Sequence, residues 1–435
     1  MQSQTSDTGS GRPPGRFVQR LVSVKPDEVA ALLASFTMFF ALLSAYYIIR
    51  PVRDEIGVSL RTSAFDLQHL FSIVFIVMLL AVPVFGAVAA RFPRRRVLPA
   101  IYVFFTSCLV VFWILLKSGA GGTNTAAAFF VFASVFNLFV ISLFWSLMTE
   151  LWSNEEAKRL FGFISAGGTA GALAGPLLTK SLVSVLAPPD LLLVSAALLI
   201  AALAAGLLLR NVRPHASASA SAAAPQGGGI LDGALKVFAS PFLARIALCV
   251  FIANIVGTFF YLEQSRLVGE TIPDAAARVA FFSSRDLAVS LATLTIEIFG
   301  TARIMQRFGV STALLALPVV AIVGVLMIWS QPVLWTVAGV MVAERVTAFA
   351  LSGPALKVMY TLTSPDEKYK VQNFIDTVVY RGGDAASGWL FAAVSGGIGF
   401  AAAATPLVAL PLAGLWLWAA RDLGHAHAER GGTEV

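Results

Sequence analysis

Long apolar stretches recur along almost the whole chain, and they constrain its fold more than any other feature. Each runs for about 20 residues, which is enough for a helix to cross the roughly 30 Å hydrocarbon layer of a bilayer. The stretches are too long and too continuously apolar for the short alternating strands of a β-barrel. With 57% hydrophobic and only 13% charged residues, the chain is predicted to be an all-α polytopic membrane protein.

Twelve membrane spans are predicted, numbered here in chain order. They lie near 29–50, 67–90, 97–116, 126–151, 161–183, 190–210, 241–263, 279–302, 310–330, 333–360, 373–395 and 398–420. Six precede and six follow the Ala/Ser/Gly/Pro-rich segment 213–229, whose composition is typical of a flexible linker. The predicted domains are a tail (1–27), a six-helix bundle (28–210), a linker with a short surface helix (211–240), a second six-helix bundle (241–420) and a tail (421–435).

Basic residues predict the orientation of the chain. Lys and Arg are concentrated in the N-terminal tail, after span 2 and after span 6, and such loops stay in the cytoplasm. Both termini are therefore expected in the cytoplasm, with the chain crossing the bacterial inner membrane many times. The net charge of +7 follows from this topology and does not indicate a nucleic-acid partner. We expect no cleavable signal peptide, because the first 25 residues are polar and basic.

The two halves of the chain resemble each other. WSNEEAKRLFG (152–162) follows span 4, and LTSPDEKYKVQN (362–373) follows span 10. In span 1, Tyr46, Arg50 and Arg53 have the same helical spacing as Phe259, Glu263 and Arg266 in span 7. Two similar six-helix halves, related by an axis along the membrane normal, describe the major facilitator fold.

Two further stretches resemble motifs of the major facilitator transporters. GAVAARFPRRR (86–96) is similar to the family's cytoplasmic loop between spans 2 and 3, although Ala90 replaces the usual acid. GFISAGGTAGALAGP (162–176) in span 5 is similar to a glycine-rich motif associated with antiporters. The alternative is close helix packing, because Gly167, Gly171 and Gly175 form consecutive GxxxG steps.

Charges inside the predicted spans mark a candidate substrate site, because a charge in the bilayer is costly and normally faces the bundle interior. SAYYIIRPVRDEIG (44–57) has the densest group, and Pro51 is expected to break its helix. Arginine matches carboxylate or phosphate with a planar fork of donors, and neighbouring tyrosines suit a flat ring. The predicted substrate-binding residues are Tyr46, Tyr47, Arg50, Arg53, Lys180, Glu263, Arg266, Arg285, Arg381 and Asp384.

Other charges have simpler interpretations. Asp54, Glu55 and Asp286 are expected to be wetted caps, and the adjacent Glu344 and Arg345 are expected to pair with neighbours. Charges near the cytoplasmic ends of the spans are predicted to form gating ion pairs. That gating set is Glu150, Glu156, Arg159, Glu367, Lys370 and Asp376.

YYIIRPVRDEIG (46–57) and DEKYKVQNFIDTVVYRGGD (366–384) resemble the bacterial and plastid ATP:ADP antiporters, and the resemblance covers most of 28–420. It implies a major facilitator-like fold and obligate exchange of ATP for ADP, with or without phosphate, and no coupling to ion gradients.

The main alternative function is a proton-coupled transporter or exporter of another organic solute, with Glu263, Glu297 or Asp376 carrying the proton. An enzyme is not expected, because the common catalytic motifs are missing from the sequence. We expect no cofactor or metal, a lipid bilayer around the chain, a small anionic substrate and function as a monomer.

Overall fold

The protein is described by a computed structural model, which covers residues 24–61, 63, 65–91, 94–213, 230–363, 365–397 and 406–431. Every regular element in these residues is helical, and the helices follow the order of the predicted spans. The twelve-span, two-bundle fold predicted from hydropathy is therefore confirmed. The loop motif 86–96 and the linker residues 214–229 lie outside the residues whose side chains are described.

The first half of the molecule contains spans 1 to 6. Their helices are Val29–Ser59, Leu67–Arg91, Arg94–Ser118, Gly122–Leu151, Asn154–Leu182 and Leu191–Val212.

The second half contains spans 7 to 12, and three of its spans include a π-helical turn. Span 7 is Pro241–Thr271. Span 8 is Ala275–Ile296, the π turn Glu297–Thr301 and the part of Ala302–Ser330 before Gly309, and span 9 is the part of that helix after Gly309. Span 10 is Leu334–Thr347, the π turn Ala348–Ser352 and Gly353–Met359. Span 11 is Pro365–Phe374, the π turn Ile375–Val379 and Tyr380–Gly397, and span 12 is Ala409–Gly431. Span 12 thus extends eleven residues beyond its predicted end at 420, into the sequence assigned to the tail.

Ten helical stretches in the described residues are long and apolar enough to cross a membrane. One of them, Ala275–Ser330, contains both span 8 and span 9. Its one non-helical residue is Gly309, with φ 82° and ψ 163°, a conformation that glycine adopts without steric penalty. The helix of span 11 is not among the ten, because Arg381, Asp384 and several glycines interrupt its apolar sequence.

Span 1 does not end at Pro51, contrary to the prediction. Its helix continues for eight further residues to Ser59. Proline lacks the N–H that would bond to the carbonyl of Tyr47, but a membrane helix tolerates this loss where neighbouring helices and side chains surround it. The continuation places Arg53, Asp54 and Glu55 on a regular helix within the bundle.

Spans 5 and 1 pack closely through glycine. A Cβ atom at Gly167 or Gly171 would collide with the carbonyl oxygens of Phe36 or Phe40, respectively. A Cβ at Gly175 would lie 2.6 Å from the Cβ of Tyr47. The glycine stripe is therefore used for helix packing, which was one of the two interpretations of its sequence.

Among the described residues, the two halves meet mainly through four pairs of spans: 1 with 7, 1 with 8, 5 with 8, and 2 with 11. Many of the polar contacts between the halves lie near the turns that join spans 1 and 2 and spans 7 and 8. Arg61 Nη1 donates to the carbonyl of Ser265 (3.5 Å), and Trp389 Nε1 donates to Ser72 Oγ (2.9 Å). We call this the closed end, and we call the opposite end, where span 1 begins, the tail end.

A short surface helix, Ile230–Ala239, precedes span 7. It packs against Pro365–Phe374 of span 11 and against span 7. Gly233 permits the close approach, because a Cβ there would collide with the carbonyl oxygen of Lys370. Leu235 and Phe238 are exposed, so the helix has an apolar surface beside the bundle at the tail end.

Candidate substrate site

A cavity of about 550 Å³ lies between the two halves. Its size falls within the roughly 300–1,000 Å³ that is typical of small-molecule sites. Spans 1, 4, 7, 10 and 11 supply most of the wall, and spans 2, 9 and 12 complete it. Spans 5 and 8 contribute no lining residue in the part of the chain that the structure describes. The cavity begins at the level of Arg53 and Tyr261 and extends toward the tail end.

Three arginines line the end of the cavity nearest the closed end. Arg50 and Arg53 come from span 1, and Arg381 comes from span 11. The guanidinium carbon of Arg50 lies 5.8 Å from the ring centre of Tyr47, and that of Arg381 lies 5.6 Å from the ring centre of Tyr380. The predicted residues Tyr46 and Tyr47 also line the cavity, so cationic and aromatic groups share this wall.

Asp384 positions Arg381 within the cavity. Its Oδ2 accepts a hydrogen bond from Arg381 Nη1 at 3.1 Å. Its Oδ1 accepts from Asn254 Nδ2 at 2.9 Å and from Thr258 Oγ1 at 2.7 Å. Both carboxylate oxygens are therefore occupied, and Asp384 joins spans 7 and 11.

Behind the cavity, toward the closed end, Arg285 of span 8 is almost fully buried among three acceptors. Its Nη2 lies 2.8 Å from Asp54 Oδ2 and 2.8 Å from Asp286 Oδ1. Its Nη1 donates to Gln264 Oε1 at 2.7 Å. The Arg285–Asp54 pair joins the two halves directly.

Arg50 and Arg53 belong to the same group of charges. Arg53 Nη2 lies 2.6 Å from Asp54 Oδ1, and Arg50 Nε lies 3.4 Å from Asp286 Oδ2. We call Arg50, Arg53, Asp54, Arg285 and Asp286 the five-charge network. Three arginines and two aspartates leave one formal positive charge. The Tyr261 hydroxyl also donates to Asp54 Oδ1 at 3.3 Å.

Asp54 and Asp286 are not wetted caps, which corrects the sequence interpretation. Their exposed fractions are 0% and 1%. Each is matched by an arginine from the other half of the molecule, Arg285 for Asp54 and Arg50 for Asp286. The signal in the sequence was the Arg-Asp dipeptide at 285–286 and the Arg-x-x-Arg-Asp pattern at 50–54.

Glu344 and Arg345 were expected to pair with neighbours, but the described residues show no such pair. Both line the cavity. Within the part of the chain that the structure describes, neither forms a hydrogen bond or ion pair, and Arg345 Nε is buried without a partner. Consecutive residues on an α-helix point about 100° apart, which separates the two charged groups.

Four predicted binding residues do not line the cavity. Lys180 is exposed near the end of span 5. Glu263 and Arg266 pair with each other in span 7, with Arg266 Nε donating to Glu263 Oε2 at 3.0 Å, and Arg266 also bonds Glu270. Arg285 is one layer behind the wall. The geometry therefore brings together Arg50, Arg53, Arg381 and Asp384, but not Lys180, Glu263 or Arg266.

The predicted gating residues lie at or toward the tail end. Glu156 Oε1 accepts from Arg213 Nη2 at 2.8 Å, and Arg159 Nη2 donates to Glu28 Oε1 at 2.8 Å. Both pairs lie within the first half. Glu150 and Asp376 are exposed and Lys370 is partly exposed, while the side chain of Glu367 lies outside the described residues.

Residues 29–388 match the family model of the Major Facilitator Superfamily. The chain belongs to the major facilitator superfamily. It is accordingly a membrane transporter and not an enzyme. Among the described residues no cluster of His, Cys, Asp and Glu suits a metal ion.

Solved structures agree on this fold at low sequence identity. A bacterial homologue of the human lysosomal transporter Spinster, inward-facing and unoccupied, matches with TM-score 0.55 and 15% identity over 94% of this chain and 95% of that one. A variant of the nucleoside transporter NupG gives 0.58 and 14% over 91% and 99%. A bacterial homologue of the iron transporter ferroportin, inward-facing, gives 0.61 and 12% over 92% and 98%. A search of curated protein sequences found no match.

Proposed function

We propose that this transporter exchanges an organic phosphate anion, such as ATP for ADP, across the bacterial inner membrane by alternating access. The observation that supports it is the convergence of Arg50, Arg53 and Arg381 on one wall of a closed-ended cavity. Guanidinium groups form paired, charge-assisted hydrogen bonds with phosphate oxygens and remain charged in a low dielectric. Tyr46, Tyr47 and Tyr380 beside them offer faces for a ring.

The geometry suggests how binding and movement are coupled. Asp384 holds Arg381, and the two aspartates of the five-charge network hold Arg50 and Arg53. A phosphate at the wall offers these arginines new acceptors and weakens their hold on the aspartates. Opening the closed end requires the Arg285–Asp54 and Arg50–Asp286 pairs between the halves to separate.

Obligate exchange follows from the same charges. With no anion bound, separating the halves leaves buried charges without their partners, which is strongly unfavourable. A bound anion compensates the arginines during the movement, so the loaded carrier reorients faster than the empty one. With the orientation predicted from the basic loops, the cavity faces the cytoplasm and the closed end faces away from it.

The first test is a thermal-shift panel on the detergent-purified chain at fixed ionic strength. A ligand that binds only the folded state raises the melting temperature. ATP and ADP are expected to raise it more than AMP, adenosine or simple carboxylates, and proteoliposomes loaded with ADP are expected to take up ATP. A shift from another solute, with none from nucleotides, would keep the fold and discard this substrate.

Site variants then locate the binding wall. Arg381→Ala and Arg50→Ala are expected to fold and to lose exchange. Each removes hydrogen bonds from a guanidinium to a substrate phosphate, and such a bond contributes about 1.5–3 kcal/mol. Lys180→Ala is the matched control, since it removes a predicted cation that is exposed and outside the cavity wall. Unchanged exchange in both arginine variants would remove them from the site.

A second candidate, proton-coupled transport of another organic solute, is favoured by one observation. Glu344 is a buried carboxylate at the cavity wall with no hydrogen bond or ion pair among the described residues. Glu263, Glu297 and Asp376, the carriers considered from sequence, do not line the cavity. Uptake driven by a proton gradient, collapsed by an uncoupler and lost in Glu344→Gln, would identify this function instead of exchange.

A further inference from the structure

The two carboxylate oxygens of Asp54 have different partners. Oδ1 accepts from Arg53 Nη2 at 2.6 Å and from the Tyr261 hydroxyl at 3.3 Å, and both donor residues line the cavity. Oδ2 accepts from Arg285 Nη2 at 2.8 Å, in the layer behind the cavity. Asp54 therefore connects the cavity wall, through one oxygen, with the contact between the two halves, through the other.

Arg53 is the donor that an anion in the cavity would draw away from Asp54. The Arg53 side chain is 15% exposed, whereas that of Asp54 is fully buried. Both Nε and Nη2 of Arg53 donate to Oδ1, at 3.1 and 2.6 Å. A phosphate that pulls the guanidinium toward the cavity lengthens both bonds at once. Oδ1 would then be a buried charged acceptor that has lost its main donor, which is unfavourable.

The Tyr261 hydroxyl is a second donor already within reach of the same oxygen. Its distance of 3.3 Å from Oδ1 exceeds the roughly 2.5–3.0 Å of a typical O–H···O bond. The bond therefore has room to shorten when Arg53 withdraws. Arg285 stays on Oδ2 and continues to compensate the charge of the carboxylate, so a neutral donor is sufficient at Oδ1.

The Tyr261 ring is held by packing that does not involve its hydroxyl. The residue is 7% exposed. Its ring meets that of Phe71 edge to face, with the ring centres 5.9 Å apart. Gly57 of span 1 lies against the other end of the side chain, where an added Cβ would be 3.4 Å from the hydroxyl oxygen. Tyr261→Phe should therefore keep the ring in place and remove only the donor.

We propose that Tyr261 is a positioning residue whose hydroxyl takes over Asp54 Oδ1 when a bound anion draws Arg53 away. The hydroxyl acts on the anion only through this exchange of donors, which makes Arg53 easier to release. The inference rests on the proposed binding of organic phosphates and adds a residue of the second half that controls its affinity. The role does not depend on the organic part of the substrate, so inorganic tripolyphosphate is a suitable probe.

The test measures the Kd of tripolyphosphate for the detergent-purified full chain at fixed ionic strength. Tyr261→Phe is expected to weaken binding about tenfold, the size expected for one hydrogen bond to a charged group. Tyr102→Phe is the matched control and should leave the Kd unchanged. Tyr102 is buried, its hydroxyl has no hydrogen bond in the described part of the chain, and it does not line the cavity.

Double variants show whether the weakening acts through Arg53. In Arg53→Gln the neutral amide stays with Asp54, so adding Tyr261→Phe is expected to change the Kd less than about twofold. Arg381→Gln is the comparison background, because Arg381 pairs with Asp384 and not with Asp54. There the full effect of about tenfold should persist. A hydroxyl that only supported the wall would weaken binding by the same factor in both backgrounds.

The outcomes separate this inference from the proposed function. An unchanged Kd in Tyr261→Phe, or an equal loss in the two backgrounds, would overturn the role of Tyr261 and leave the anion site standing. No binding of tripolyphosphate or ATP to the full chain would overturn both. If Arg53→Gln does not fold, Arg53→Met takes its place, since Arg285 still compensates Asp54 there.

Discussion

Ion pairs at the closed end join the two halves of the molecule, whereas the ion pair compared with them at the tail end lies within one half. At the closed end, Asp54 pairs with Arg285 and Asp286 pairs with Arg50, so each pair joins spans 1 and 8. At the tail end, Glu156 pairs with Arg213 within the first half. The closed-end pairs must break when the halves rock, whereas the tail-end pair can stay intact throughout the cycle.

Burial adds a second difference. The side chains of Asp54, Asp286 and Arg285 are at most 1% exposed, whereas those of Arg213 and Glu156 are 16% and 23% exposed. A buried pair gains little over a hydrophobic pair when it is intact, yet breaking it by removing one partner is costly. The closed end therefore has a strong barrier to unassisted opening without being unusually stable.

The largest expected effect comes from Arg285→Met, which leaves two buried aspartates short of a partner. We expect it to destabilise the closed arrangement by about 3–5 kcal/mol. In a background with Cys108→Ala and Cys249→Ala, a cysteine introduced at Ser265 should react much faster with a water-soluble thiol reagent. Arg266→Met is the control, because its pairs with Glu263 and Glu270 stay within span 7. Equal labelling in the two variants would contradict a role in holding the halves together.

Packing within the first half gives the next effect. Gly171→Ala places a Cβ against the carbonyl oxygen of Phe40, and overpacking of this kind costs about 1–3 kcal/mol. We expect a lower melting temperature for the purified protein.

Gly162→Ala, on the same helix, is the matched control for that change, because no described atom beyond the neighbouring helix backbone lies within 4 Å of a Cβ at this position. It should be neutral or slightly stabilising, since alanine favours helix over glycine. Equal losses in both variants would show that helix propensity, and not contact with span 1, decides the result.

Breaking a tail-end pair should have a smaller effect. Arg213→Met removes the pair with Glu156 and the stacking of the guanidinium 3.8 Å from the Trp152 ring centre. Together these contribute about 1–2 kcal/mol. The melting temperature should fall slightly, and labelling at position 265 should not change. Faster labelling would mean that this pair also controls the closed end.

The smallest effect concerns pH. Burial raises the pKa of the Glu28 carboxyl, but hydrogen bonds from Arg159 and from the Lys25 N–H lower it more, so the net pKa lies below its ordinary value. A lowered carboxyl pKa contributes stability that is complete above the ordinary value and is lost as the pH falls through the folded value. The melting-temperature gap between the protein and Glu28→Gln should be constant near neutral pH and close below about pH 4. A gap that does not change with pH would contradict an ionised Glu28.

Hydropathy predicts most of the twelve spans, because a helix that crosses a bilayer is apolar over most of its length, but Arg381, Asp384 and several glycines interrupt the apolar sequence of span 11. The fate of Pro51 could not be predicted, since its tolerance depends on the helices around it. The sequence placed Arg50, Arg53, Arg381 and Asp384 at the site because intramembrane charges face the bundle interior. The same rule selected Lys180, whose long side chain lies exposed near the end of its span.

The burial of Asp54 and Asp286 could not be predicted from the sequence, for a different reason. An aspartate beside an arginine on the same helix resembles a hydrated cap. The second arginine, whose charge allows the aspartate to be buried, comes from the other half of the chain. The sequence also did not predict that Glu344 and Arg345 lack partners among the described residues, because adjacent opposite charges suggest an ion pair. Such partners become visible only when the two bundles are assembled.

The single non-helical residue between spans 8 and 9 has a mechanical consequence. With only Gly309 between two long helices, there is no slack in the chain at that corner. A displacement of the last turn of span 8 must move the first turn of span 9 by nearly the same amount. Span 8 contains Arg285 and Asp286, so a movement that separates their pairs with span 1 would also displace the start of span 9.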